Sequence, residues 1–178
     1  MEIRLAKTAG FCFGVDRAVQ MTRRLLDAGE KVATLGPLIH NPQVVAELEA
    51  RGAKVAASPA GVPPGYKVVI RSHGVPRSVY GELEALGIPW ADATCPFVAK
   101  IHAIARRAEQ EGACLAVAGD AAHPEVQGIV GHTRGESFVF ANLEELRAWK
   151  GSENPEKRIF AVAQTTFQAT KWQECSEF

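Results

Sequence analysis

Two cysteines sit in settings that suit metal chemistry. Cys12 lies in Gly10-Phe11-Cys12-Phe13-Gly14-Val15-Asp16, flanked by aromatics and then glycines, just before a helical pattern begins. Glycine lets backbone approach a bulky ligand closely, and N–H groups near a sulfur tune its electronic properties. Cys95 lies in Asp92-Ala93-Thr94-Cys95-Pro96-Phe97, directly before a proline suited to open a helix. The positive end of a helix dipole favours the thiolate, the form that binds metals. Plainer alternatives stay open: a buried structural cysteine at 12, or an ordinary cap at 95, although cysteine caps poorly beside Ser, Thr, Asp or Asn. The pair lacks Cys-x-x-Cys spacing, which argues against a zinc knuckle or a thioredoxin-type dithiol. Cys114, inside an apolar run, and Cys175, in the polar stretch from Trp172 to Glu177, read as structural.

Three histidines form a second group. His40 precedes Asn41-Pro42, His73 opens His73-Gly74-Val75-Pro76, and His123 directly precedes Pro124. Each is expected at a strand end and a helix N-terminus, where open α/β sheets bind ligands and free N–H groups attract anions. A lone histidine is usually a satisfied polar residue, but three in equivalent positions suit a phosphate-bearing ligand. Glu125, two residues after His123, is expected in the same cleft, either to move a proton or as a first-turn carboxylate favoured by the dipole. Gln164-Thr165-Thr166 puts hydroxyls at the end of the last strand, where caps also occur. His102 and His132 lack this placement and read as helix and loop residues without a role.

The elements that must position these groups alternate strictly between strand and helix. Apolar runs at Lys31 to Leu35, Tyr66 to Arg71, Cys114 to Ala118, Ser137 to Phe140 and Ile159 to Ala163 read as buried strands. Amphipathic stretches between them place Val44, Val45 and Leu48 on one helix face, and Phe97, Ile101, Ile104 and Ala108 on another. The fold class is therefore α/β, with parallel sheets covered by helices. Thr34-Leu35-Gly36 leading to His40-Asn41-Pro42 parallels Val117-Ala118-Gly119 leading to His123-Pro124, which suggests an internal duplication. The expected division is an N-terminal strand and first cysteine over residues 1–13, a first α/β module over 14–95 and a second over 96–178. Proline- and glycine-rich Ser58 to Gly65 and Gly151 to Lys157 are expected as surface loops inside the modules.

Composition bounds the partners. The 178 residues are 47% hydrophobic, enough for a packed core and too much for a disordered chain. Lys+Arg and Asp+Glu balance at 20 each, so no long-range positive field favours nucleic acid or an anionic membrane. No stretch approaches the roughly 20 apolar residues that span a bilayer, and the N-terminus has no signal-like run. A cytoplasmic protein is expected, and four cysteines there argue for thiol or metal chemistry before disulfides.

Six blocks in one order resemble the 4-hydroxy-3-methylbut-2-enyl diphosphate reductases, the IspH/LytB family of the non-mevalonate isoprenoid pathway. They are Gly10 to Val15, Ile39 to Pro42, Arg71 to Val75, Asp92 to Pro96, His123 to Val126 and Gln164 to Thr166. The resemblance implies a trefoil of three α/β modules around a [4Fe–4S] cluster held by three cysteines, with Cys12 and Cys95 matching the first two ligands. The fourth iron would keep an open position for the substrate's allylic hydroxyl. The diphosphate would lie among His40, His73 and His123, with Thr165 and Thr166 also on the substrate. Glu125 would donate the proton, with Thr165 and His123 as further catalytic groups. Ferredoxin or flavodoxin would supply two electrons to a monomer, giving isopentenyl and dimethylallyl diphosphate. The family's third cysteine lies beyond Phe178, so the expectation is a chain missing its third module and inactive alone. Competing expectations are a noncatalytic module binding a phosphate ligand, or a zinc or thiol redox protein.

Overall fold

The computed structural model describes residues 3–4, 9–149, 151 and 156–178. The expected alternation is realised as two wholly parallel sheets, as an α/β fold requires. The first sheet is built from β1 (Val32–Leu35), β2 (Lys54–Ala56), β3 (Lys67–Ile70) and β4 (Trp90–Asp92), in the order β2-β1-β3-β4. The second is built from β5 (Cys114–Ala118), β6 (Ser137–Phe140) and β7 (Ile159–Ala163), in the order β6-β5-β7. Helices α1 (Phe13–Asp27), α2 (Pro42–Ala50) and α3 (Arg77–Ala85) accompany the first sheet. Helices α4 (Pro96–Gln110), α5 (Pro124–Val130), α6 (Leu143–Ala148) and α7 (Ala169–Ser176) accompany the second.

Alternation along the central strands makes each sheet the middle of three layers. In β1, Val32 faces the layer of α1 and α2 with Ala18, Val19 and Leu48, while Ala33 and Leu35 face Leu83 of α3. In β5, Leu115 and Val117 meet Ala105, Ala108 and Ile129 of α4 and α5, while Ala116 and Ala118 meet Phe140, Trp172 and Cys175. The alanines on α4 let that helix lie close to its sheet.

β5, β6 and β7 have the bounds expected of them, and β1 and β3 are slightly shorter than the apolar runs that announce them. The edge strands β2 and β4 were not expected, because three partly exposed residues leave no apolar run. Pro42, Pro96 and Pro124 open their helices as expected. Pro76 is a correction: it is the cap of α3, which starts at Arg77, so His73 sits in the turn after β3 and not at a helix N-terminus. Ser58 to Gly65 is a loop with a 3-10 turn at Pro59–Gly61. The expected strand around Ile3 to Ala6 and the loop from Gly151 to Lys157 fall largely outside the described residues. Among the described residues no helix is long and apolar enough to cross a membrane.

Candidate functional site

Both cysteines occupy the N-cap of a 15-residue helix, Cys12 for α1 and Cys95 for α4. Neither side chain caps its helix by a hydrogen bond, so both sulfurs are left for other partners. Three contacts bring the two helix starts together. A Cβ on Gly14 would lie 2.5 Å from Cys95 Sγ, so only glycine allows this approach. Arg17 reaches from α1 to donate to the carbonyls of Thr94 and Asp92, at 3.1 and 3.2 Å. Cys95 N in turn donates to Ser72 O at 2.9 Å, which ties the cap to the turn after β3.

The three histidines converge. His40 and His73 have ring centroids 4.7 Å apart, and His123 lies 5.7 and 5.6 Å from them. One nitrogen from each ring falls within 4.8 Å of the other two, a spacing that either an anion or a metal ion can use. Each ring is aimed differently. Asn41 caps α2 by accepting from Val44 N, which leaves His40 one residue outside the helix. His123 itself caps α5, its Nδ1 accepting from Glu125 N at 3.1 Å. A backbone N–H can only donate, so Nδ1 must carry the lone pair and the neutral ring holds its proton on Nε2. The nitrogen left free is therefore a donor, which suits a phosphate oxygen and not a metal. Burial, then the neighbouring His40, His123 and Arg71, pushes His73 down to about 4. It is neutral at physiological pH and can take a proton when an anion arrives.

Glu125 is 2% exposed, and both its oxygens are held by one residue across the second sheet. Thr165 N donates to Oε1 at 2.6 Å and Thr165 Oγ1 donates to Oε2 at 2.8 Å. Gln164 braces this arrangement from the end of β7, accepting from Asp120 N and donating to Thr166 Oγ1. Gly119 permits it, since a Cβ there would meet Val126 at 2.7 Å and Gln164 Oε1 at 3.0 Å.

One cavity of about 760 Å³ collects all of these groups: Cys12 and Cys95, His40, His73 and His123, Glu125, Thr165 and Thr166. Val15, Phe97, Val98 and Ile101 supply its apolar wall. Three participants were not singled out in the sequence. Ser72 lines the cavity with a buried hydroxyl that has no hydrogen-bond partner among the described residues, Lys100 stands at the wall, and Arg17 draws the two cysteine caps together. Ser72 lay inside a block already quoted for the neighbouring His73, while Arg17 and Lys100 look like ordinary helix-surface cations. Cys114 and Cys175 are buried, Cys114 in β5 in the same alternation as Ala116 and Ala118, which pack with Cys175, and neither lines the cavity. His102 and His132, read as residues without a role, are buried and stacked 4.0 Å apart.

A family model described as LytB protein matches residues 3–178. A Geobacter sulfurreducens protein named 4-hydroxy-3-methylbut-2-enyl diphosphate reductase is 44% identical over 166 residues, covering 93% of this chain and 57% of its own. A protein of the same name from Oleidesulfovibrio alaskensis is 41% identical over 167 residues, covering 93% and 59%. Among solved structures, (E)-4-hydroxy-3-methyl-but-2-enyl diphosphate reductase, described as the terminal enzyme of the non-mevalonate pathway, superposes with a TM-score of 0.81 at 38% identity. That match covers 97% of this chain and 61% of the other. The Plasmodium falciparum reductase superposes at 0.88 with 24% identity, a likeness of fold. The chain thus spans less than two thirds of the length of these relatives.

Proposed function

The chain belongs to the LytB protein family, and from that premise we propose that its cavity is the active site of a 4-hydroxy-3-methylbut-2-enyl diphosphate reductase. The observation that carries the proposal is the convergence, in one cavity, of two uncapped cysteines, three imidazoles and the Glu125–Thr165 pair. Soft thiolates at two helix starts, with backbone pressed against one sulfur at Gly14, fit an iron–sulfur cluster. Cys12 and Cys95 would be two of its ligands. When bound, a [4Fe–4S] cluster would relay, one at a time, the two electrons that an external donor provides, and would offer a Lewis-acidic iron for the substrate hydroxyl.

The residues of the chain do the rest. His40, His73 and His123 grip the diphosphate, His123 through the Nε2 proton that its capping bond fixes in place. The apolar wall of Val15, Phe97 and Ile101 receives the five-carbon chain and excludes water from it. Glu125 and Thr165 line the cavity together and their carboxyl and hydroxyl oxygens are 2.8 Å apart, so a proton on the carboxyl can pass through this hydroxyl to the leaving oxygen. In the balance, the allylic C–O bond breaks and the hydroxyl leaves as water with one proton. The carbon skeleton takes two electrons and a second proton, giving isopentenyl or dimethylallyl diphosphate.

The same reading divides the chain at Cys95 and Pro96, where α4 opens and packs on α5 and the second sheet. It also assigns a cytoplasmic monomer served by ferredoxin or flavodoxin. The chain is expected to be inactive alone, so the test is product formation by a hybrid in which it replaces the matching segment of the Geobacter sulfurreducens relative: that protein, loaded anaerobically with iron and sulfide and reduced with dithionite, is given the hydroxylated C5 diphosphate. Mass spectrometry should find the two dehydroxylated diphosphates, and Glu125→Gln should slow their appearance by about 10²- to 10⁴-fold, the usual worth of a positioned proton donor. Iron-loaded protein that leaves the substrate intact overturns the proposal.

A further inference from the structure

We infer that His102 and His132 are positioning residues for the imidazole triad: their stacked rings clamp the His73 turn of the first sheet onto α5 of the second. This rests on the reading of the triad as the cradle of the diphosphate.

The clamp is visible atom by atom. The two rings stack at 4.0 Å with 24° between their planes, His102 projecting from α4 and His132 following α5. Arg106 donates to His132 Nδ1 at 3.1 Å, and since a guanidinium only donates, His132 holds its proton on Nε2. That proton is donated to Val75 O at 3.1 Å, two residues from His73. His102 fills the space beside Gly74, the residue after His73: a Cβ there would lie 2.4 Å from His102 Cε1. Gly74 has φ +71°, so the turn needs glycine for its backbone as well as for this contact.

The same edge of the ring also meets α5. A Cβ on Gly128 would lie 3.4 Å from His102 Nε2 and 3.4 Å from His73 O. One helical turn further, Arg77 N donates to Gly131 O at 3.1 Å, and a Cβ on Gly131 would meet Pro76 at 2.5 Å. α5 is thus joined to the first sheet at both ends, by the triad at His123 and by His132 at its exit. Shifting the His132 end tilts the short helix and moves His123 relative to His73, which loosens a site that must hold two phosphates at fixed distances.

Inorganic pyrophosphate binding by the full chain tests this, measured calorimetrically well below the unfolding midpoint. Glutamine places its amide nitrogen where the histidine Nε2 stood, whereas asparagine is too short to reach Val75. His132→Asn and His102→Ala should each weaken pyrophosphate binding about tenfold or more, while His132→Gln stays within about threefold of wild type. Lowered unfolding midpoints with unchanged affinity in His132→Asn and His102→Ala would reduce the pair to ordinary core packing and overturn the inference. His40→Gln serves as the control on the premise. If wild type and His40→Gln both fail to bind pyrophosphate, the cradle itself is wrong and the clamp falls with it.

Discussion

His73 meets its ligand uncharged, because burial holds its pKa at about 4. A diphosphate favours the imidazolium, so binding should raise that pKa and draw a proton from solution. Calorimetry of pyrophosphate binding near pH 6, repeated in buffers of different ionisation enthalpy, should show net proton uptake, reduced in His73→Gln. A second prediction concerns His102, pushed down to about 3 first by burial, then by His132 and Arg106, with Asp92 opposing. A depressed folded pKa means that the unfolded chain binds more protons below its own value near 6.5. The stability these rings contribute is whole above that value and is lost as pH falls through 6.5 towards 4 and below. Unfolding midpoints should therefore drop over that interval, and His102→Gln should flatten the drop.

Element by element, the strands and helix openings were legible where the local signal was strong. β5 and β7 announce themselves as apolar runs, and Pro42, Pro96 and Pro124 sit where helices begin. β2 and β4 were illegible because a three-residue edge strand gains its identity from its neighbour, not from its own pattern. The site residues were legible as types at strand ends. What joins them was not: Arg17 to the Thr94 carbonyl and His132 to Val75 O span 77 and 57 residues. Such contacts depend on how helices dock, and no periodicity encodes that. The α1 start offers a test at this scale. Replacing Gly14 with alanine gains about 1 kcal/mol of helix propensity, but its Cβ would sit 2.5 Å from Cys95 Sγ, and overpacking costs roughly 1–3 kcal/mol. The steric term wins at the sulfur: Gly14→Ala should keep its far-UV circular dichroism and lose iron content when the hybrid reductase carrying this chain is reconstituted.

At the scale of the whole molecule, the cavity draws residues from both sheets, His40, His73 and Cys95 from the first and its exits, His123, Glu125 and Thr165 from the second. A ligand seated there contacts both halves, so pyrophosphate at about 100 times its dissociation constant should stabilise the chain by roughly 2.7 kcal/mol. Calorimetric unfolding should stay a single transition and move upward; two transitions, with only one moving, would contradict a shared site. How the three imidazoles meet a free metal ion is governed by a single helix start. Three clustered imidazoles look like a chelating tag, yet a cation seeking Nε2 of His123 must first evict its hydrogen and strip α5 of its cap. Losing a cap costs about 0.5–2 kcal/mol, equivalent to about 2- to 30-fold in affinity. A nickel-charged column should therefore hold this chain less firmly than three neighbouring histidines suggest.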